Sequence, residues 1–238
     1  MNARRRRAVG VVAAVLVVAI AGAYAAFVAI GGSTSAAPPV SLPTASPSSA
    51  AGASASAAPT TFNGTWTVRG SGASIVGYRV REQFSFLPAP TDAVGRTTAV
   101  TGRLTVHGLK ITAVTVTADL TQLHSDKPMR DQRMQTMGLQ TDQFPTATFT
   151  LTSPISFSAR PAEGKIVKVV AHGNLTLHGV TRAVAIPLEA RWSGSLIQVA
   201  GNLPILFADY GIVPPSIGPV TVQDHGTMEL ELVFAKSP

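Results

Sequence analysis

The chain has 238 residues, a formal net charge of +7 and no cysteine. The lack of cysteine excludes disulfides, thiolate catalysis and cysteine-ligated zinc. Residues 4–7 are arginines and supply four of the 19 Lys and Arg, so the remainder exceeds the 12 Asp and Glu by only about three. That excess is too small for a nucleic-acid-binding surface, which needs a dense basic stripe.

The N-terminus predicts a membrane anchor. Residues 1–7 form a basic cytoplasmic terminus, and the uncharged apolar run 8–30 is long enough for a transmembrane signal-anchor helix. Arginines ahead of the run favour a single-pass protein in the cell membrane whose C-terminal domain lies outside the cytoplasm. A cleaved signal peptide, with the Ala21-Gly22-Ala23 stretch as its cleavage site, is the alternative and would make the protein secreted.

Residues 31–61 are predicted to be a disordered linker. They consist almost entirely of Ala, Ser, Pro, Thr and Gly and carry no charge. Such a composition buries too little apolar surface to offset the entropy of ordering the chain. Its scattered prolines favour a semi-extended tether.

Residues 62–238 are predicted to form one domain of antiparallel strands. Apolar residues alternate with polar ones along most of this region, which is the pattern of half-buried strands. Val184, Ile186 and Leu188 share one face, for example, and Met228, Leu230 and Leu232 another. About eight strands with short connections fit either a sandwich or a closed barrel, and composition alone does not choose between them.

One short helix, over residues 128–137, interrupts the strands, and a Phe144-Pro145 corner and a new strand follow it. This arrangement resembles the YceI-like family of lipid- and polyisoprenoid-binding barrels. The matching residues are Asp119, Leu120, Leu123, Ser125, Arg130, Asp131, Phe144, Pro145, Ala147 and Phe149. The His178-Gly-Val-Thr-Arg182 and Asp209-Tyr-Gly-Ile212 segments resemble two further signatures of the family.

The resemblance implies an all-β fold: an antiparallel eight-stranded lipocalin-like barrel with one short helix, preceded here by the transmembrane helix and the linker. It also implies an extracytoplasmic carrier, not an enzyme, that holds an isoprenoid lipid such as a quinone or a polyprenyl phosphate in the barrel lumen. No catalytic residue, metal or other cofactor is expected. The residues predicted to line the lumen are Phe84, Phe86, Leu104, Val116, Met134, Phe149, Leu175, Leu177 and Trp192.

Three arginines are candidates for contact with a lipid head group: Arg130, Arg133 and Arg182. A guanidinium offers a planar fork of donors to a phosphate or quinone oxygen. The plainer interpretation is that these arginines are solvated surface charges and that the predicted lumen residues only fill a core.

A repeated Gly-x-Leu-Thr-x-His-Gly pattern occurs at residues 102–108 and 173–179. Two equivalent histidines suggest a metal pair, but neither has a second ligand nearby in the sequence. We interpret both as the ends of similar hairpins.

Two rival functions remain open. One is an envelope stress or adhesion module whose barrel is solid and binds no ligand. The other is a lipid-ester hydrolase, although the chain has no Gly-x-Ser-x-Gly elbow. The expected partners are an isoprenoid lipid or quinone and the membrane through the N-terminal helix, not nucleic acid. The oligomeric state stays open, a homodimer included.

Overall fold

The computed structural model describes residues 36–42, 61–70, 72–215 and 218–237. The predicted cytoplasmic terminus and transmembrane helix, residues 1–7 and 8–30, lie outside these ranges. Within the ranges, no helix is both long and apolar enough to cross a bilayer. The described residues from Ala37 onward belong to one compact unit.

The described residues contain twelve strands and one α-helix. The strands are β1 (Gly64–Val68), β2 (Ile75–Phe84), β3 (Thr91–Thr97), β4 (Val100–His107), β5 (Lys110–Asp119), β6 (His124–Ser125), β7 (Thr146–Leu151), β8 (Ile155–Ser156), β9 (Ile166–Leu177), β10 (Val180–Ser193), β11 (Leu196–Leu206) and β12 (Val220–Lys236). The helix α1 spans Pro128–Thr136, and single 3-10 turns occupy Leu120–Gln122 and Phe207–Tyr210.

Eight of the strands close into a ring. They pair in the order β1, β4, β5, β7, β9, β10, β11 and β12, and β12 pairs back with β1. Every pairing is antiparallel. The predicted eight-stranded antiparallel barrel with one short helix is therefore confirmed.

The long strand β12 pairs with two strands along one of its edges. Its last residues pair with β1, and its earlier part pairs with β2, which carries β3 and then β6. A register shift between Val222 and Gly226 bends β12 where it leaves the ring. The β2–β3–β6 extension thus places α1, which follows β6 in the chain, at one end of the barrel. We call this the helix end, and the other end the opposite end.

The two histidine repeats are hairpin turns, as predicted, but they lie at opposite ends. His107 ends β4, and His178 follows β9. Register links Val100 through Ala118 and Ala147 to the last residues of β9, so the start of β4 and the end of β9 share the helix end. The two imidazoles are thus separated by the length of the barrel. The His178 ring bonds locally to Gln140 and to the Tyr210 carbonyl.

Apolar alternation explains where the core lies. Inward residues of each strand meet inside the ring, where Trp66, Leu175 and Phe234 are almost completely buried. At the opposite end Phe62 packs edge-on against both Trp192 and Phe157, with ring centroids 5.6 and 6.3 Å away. Large aromatic side chains therefore close that end of the barrel interior.

The structure differs from the predicted disordered linker at residues 37–42. This stretch lies against the barrel, and Val40 and Leu42 are only 9% and 7% exposed. The prediction averaged composition over residues 31–61 and overlooked that two apolar residues two positions apart can share one face of an extended chain. The other linker residues, 31–35 and 43–60, lie outside the described residues.

Candidate functional site

A cavity runs through the centre of the barrel. Its volume is about 90 Å³. All the residues that line it are apolar: Val76, Leu104, Ile111, Val114, Val116, Ala118, Ala147, Phe149, Ile155, Val169, Ala171, Leu175, Ile186, Leu188, Val199, Met228, Leu230, Leu232 and Phe234. A cavity with such a wall favours hydrocarbon over water.

Small residues in the wall create the space. Ala118, Ala147 and Ala171 face inward from three neighbouring strands, β5, β7 and β9. Gly173 stands beside Phe149 on the next strand, and a Cβ at residue 173 would overlap the Phe149 ring. The missing side chain therefore leaves room for the Phe149 ring against β9.

The structure places four of the nine predicted lumen residues in this wall. They are Leu104, Val116, Phe149 and Leu175. Phe149 and Leu175 are direct partners across β7 and β9, and Val116 is the partner of Phe149 across β5 and β7. Three of the four therefore form one row across adjacent strands.

The other five predicted lumen residues lie elsewhere. Leu177 and Trp192 are buried in the core near the two ends of the barrel, beyond the cavity. Phe84 ends β2 and packs against Phe86, which lies in the following loop and is 45% exposed. Met134 belongs to α1 and approaches Gly138. None of these five lines the cavity. For Leu177 and Trp192 the reason is that alternation assigns a face of a strand but not a height along the barrel.

Several wall residues were not among the predicted set. Val76, Met228, Leu230, Leu232 and Phe234 all face the cavity from β2 and β12. Their alternation with Gly77 and with Glu229 and Glu231 is the signal that could have found them. The predicted set favoured aromatic residues and residues of the central strands, and so it left out the lining residues of the last strand.

Arg130 is held in a charged cluster at the helix end. Its Nη2 donates to Glu82 Oε2 at 2.9 Å and its Nε to Oε1 at 3.2 Å, and Nη1 contacts Asp126. Burial alone would lower the pKa of the guanidinium, but the hydrogen bonds and charge of Glu82 outweigh it and raise the pKa above its ordinary value. Arg130 is therefore a permanent cation with acidic partners already in place.

Tyr78 lies next to this cluster on the inner face of β2. Burial raises the pKa of its phenol well above the ordinary value, and the charge of Arg130 opposes the shift only in part. The phenol therefore stays protonated at neutral pH. Together with Arg130 and Glu82 it makes the helix end of the interior polar, in contrast to the apolar cavity wall.

The remaining head-group candidates do not reach the cavity wall. Arg133 lies on α1, where its Nη2 contacts the Met129 sulfur at 3.6 Å. Arg182 lies on β10 and is half exposed, with Nε bonded to the Asp209 carbonyl and Nη2 3.4 Å from its carboxylate. The structure thus brings none of the three arginines into contact with the cavity. Of the three, Arg130 is the most deeply buried, and it lies at one end of the barrel.

Comparison with known proteins gives one family and several similar structures. A family model for the YceI-like domain matches residues 57–234. The chain is 19% identical to a polyisoprenoid-binding domain from Saccharophagus degradans implicated in plant cell wall breakdown, with a TM-score of 0.58 over 72% of this chain and 98% of that one.

Two further solved structures are less similar. Burkholderia cenocepacia BcnA is 18% identical, with a TM-score of 0.48 over 66% of this chain and 95% of that one. A Campylobacter jejuni YceI protein is 16% identical, with a TM-score of 0.46 over 60% of this chain and 85% of that one. No curated protein matches the chain.

Proposed function

Because the chain belongs to the YceI-like family, we propose that it binds the hydrocarbon tail of an isoprenoid lipid, a quinone or a polyprenyl phosphate, in the barrel cavity. The observation that carries this proposal is the wholly apolar wall of a cavity enclosed by a closed barrel. The similar Saccharophagus degradans domain, described as polyisoprenoid-binding, adds support.

Burial of the tail would supply most of the affinity. Each methylene removed from water contributes about 0.8 kcal/mol, so a few isoprene units need no strong polar contact. The cavity volume, about 90 Å³, is smaller than the roughly 300–1,000 Å³ typical of small-molecule sites, so a bound tail would have to displace some of the lining side chains. A polar head group would lie outside the cavity, since the residues that line the wall offer it no donor or acceptor.

The proposal is for a carrier and not an enzyme. A bound tail would meet only aliphatic and aromatic side chains and the thioether of Met228, which supply neither an acid, a base nor an activated nucleophile. We further propose that the barrel works outside the cytoplasm and is tethered to the cell membrane by residues 8–30. The support for this part is the sequence: a long apolar run preceded by four arginines.

One observation favours the rival of a ligand-free structural module. The cavity volume is only about 90 Å³, so side chains already fill much of the interior. A slender chain of linked isoprene units fits such a narrow space better than a bulky ring system does. The rival function requires that this space stay empty.

The test is the lipid content of the full-length protein purified from membranes in mild detergent. Mass spectrometry of an organic extract should find a prenyl lipid close to one per chain, and added C40 prenyl quinone should refill protein that has been stripped of lipid. A straight-chain alcohol of equal carbon number serves as the matched ligand control. Protein that arrives without prenyl lipid and takes up neither ligand would support the solid module instead.

A further inference from the structure

Residues 37–42 make specific contacts with the outer wall of the barrel. Arg79 Nη2 donates to the Ala37 carbonyl at 2.6 Å, and Arg96 Nη2 donates to the Pro38 carbonyl at 2.5 Å. Two residues further on, Val40 and Leu42 are buried, while Ser41 between them is exposed. The segment therefore combines two charge-assisted hydrogen bonds with alternating apolar burial.

Glu229 explains why the two arginines are held in position. It lies on the outer face of β12, because its neighbours Met228 and Leu230 line the cavity, yet it is only 2% exposed. Arg79 Nε lies 2.6 Å from one of its carboxylate oxygens, and Arg96 Nη2 lies 3.1 Å from the other. Each guanidinium has five N–H donors, so both can bond to the carboxylate and still donate to a carbonyl.

Gly77 makes this arrangement possible. It is the register partner of Arg96 on one side and of Glu229 on the other, so it lies directly between them. A Cβ at residue 77 would come within 2.8 Å of Arg96 Cγ. Without a side chain there, Arg96 crosses β2 to reach the carboxylate. The sequence of β2 is thus adapted to a polar feature on the outside of the barrel, away from the cavity.

We infer that residues 37–42 are a strap that docks on the β2–β3–β12 wall and fixes where the N-terminal segment leaves the barrel. With the strap docked, the chain free to link the barrel to residues 8–30 is 31–36, which spans at most about 20 Å when extended. Without docking, the free chain is 31–61, which spans about 100 Å. For its membrane part this inference rests on the proposed function.

The docking is tested by thiol accessibility, since the full chain has no cysteine of its own. Val40→Cys and Ser41→Cys are made separately and labelled with a maleimide in mild detergent. A docked strap predicts that the thiol at residue 40 reacts about tenfold more slowly than the thiol at residue 41. Equal rates in the folded protein would overturn the inference, and urea-unfolded samples give the intrinsic rates.

A matched pair of arginine variants tests what holds the strap. Arg96→Lys in the Val40→Cys background keeps a cation beside Glu229 but removes the planar fork. It should raise labelling at residue 40 to the rate at residue 41. Arg81→Lys is the control, because Arg81 on the same outer face is 60% exposed and pairs with Asp92. Continued protection in a folded Arg96→Lys protein would show that the arginine does not hold the strap.

The reach of the tether is tested by two insertions. A Gly/Ser segment of about 20 residues is placed either between 36 and 37 or between 50 and 51. Energy transfer from a fluorophore on Arg81→Cys to a dye in the bilayer of a nanodisc should fall only for the first insertion. Equal changes, or none, would contradict the strap. Neither assay involves the cavity, so the strap and the lipid proposal can fail separately.

Discussion

Arg130 lies between Glu82 of β2 and Asp126 just ahead of α1, and only 11% of its side chain is exposed. The sequence suggested it as a head-group contact because a basic residue on a short helix beside a barrel is well placed to meet a ligand. Its main partner is 48 positions away in the chain, so no local pattern could reveal the pair. A salt bridge of this kind is better explained as a link between helix and barrel than as a ligand site.

Arg130→Ala should therefore act on stability. It leaves Glu82 buried without its cation, and we expect a loss of about 3 kcal/mol in the free energy of unfolding by urea. Adding Glu82→Gln to Arg130→Ala should restore part of that loss, because the unpaired charge is removed.

Arg133→Ala on the same helix is the control and should change stability by no more than about 0.5 kcal/mol. An Arg130→Ala protein as stable as this control would show that the Arg130–Glu82 pair contributes nothing to the fold.

Among the strands and the helix, those with strong alternation were predictable from the sequence. The strands β10 and β12 and the helix α1 lie where the sequence predicted them, since long runs of alternating apolar residues leave one face to bury. The sequence of β3, Thr91–Thr97, has no such run of large apolar residues. Its inward positions are Ala93, Gly95 and Thr97, which are small because the Tyr78 ring lies against Gly95. A strand that has small residues on its inner face, to make room for a neighbouring side chain, lacks the alternating apolar residues by which strands are predicted.

The helix α1 is held by a contact between two residues close in the sequence, Asp131 and Ser125. Asp131 Oδ1 accepts hydrogen bonds from the Ser125 backbone N–H at 2.9 Å and from its hydroxyl at 2.6 Å. This ties the first turn of the helix to β6. Asp131→Ala should loosen α1 locally by about 1–2 kcal/mol while the ring of strands stays intact.

Hydrogen exchange measures this effect directly. Amides of α1 and Ser125 should exchange faster in Asp131→Ala, and amides of β9 and β10 should not change. Asp142→Ala removes an exposed carboxylate beyond the end of the helix and is the matched control. If α1 exchanged at the same rate in both variants, the Asp131–Ser125 contact would have no role in holding the helix.

At the scale of the whole molecule, the family resemblance and the alternation together predicted the closed barrel, which the pairing of β12 with β1 confirms. Of the nine residues that they predicted for the lumen, four line the cavity. Which residues lie at its height depends on the stagger of the strands around the ring, which the sequence does not show. They also missed the docking of residues 37–42. Its two arginines lie on the consecutive strands β2 and β3, but Glu229 lies on β12, 133 positions after Arg96.

The proposal that the barrel shelters an isoprenoid tail is tested most directly by two tryptophan substitutions on one strand. Leu175 on β9 is 2% exposed and lines the cavity, whereas Val170 on the same strand is 47% exposed and faces outward. Leu175→Trp should fill the lumen at a cost of about 1–3 kcal/mol, which leaves the barrel folded. Val170→Trp adds the same indole outside.

The measurement is the amount of prenyl lipid that copurifies with each folded variant, determined by native mass spectrometry. We expect Leu175→Trp to lose most of its lipid and Val170→Trp to retain as much as the unmodified protein. A folded Leu175→Trp barrel that kept its full complement of lipid would contradict binding in the cavity.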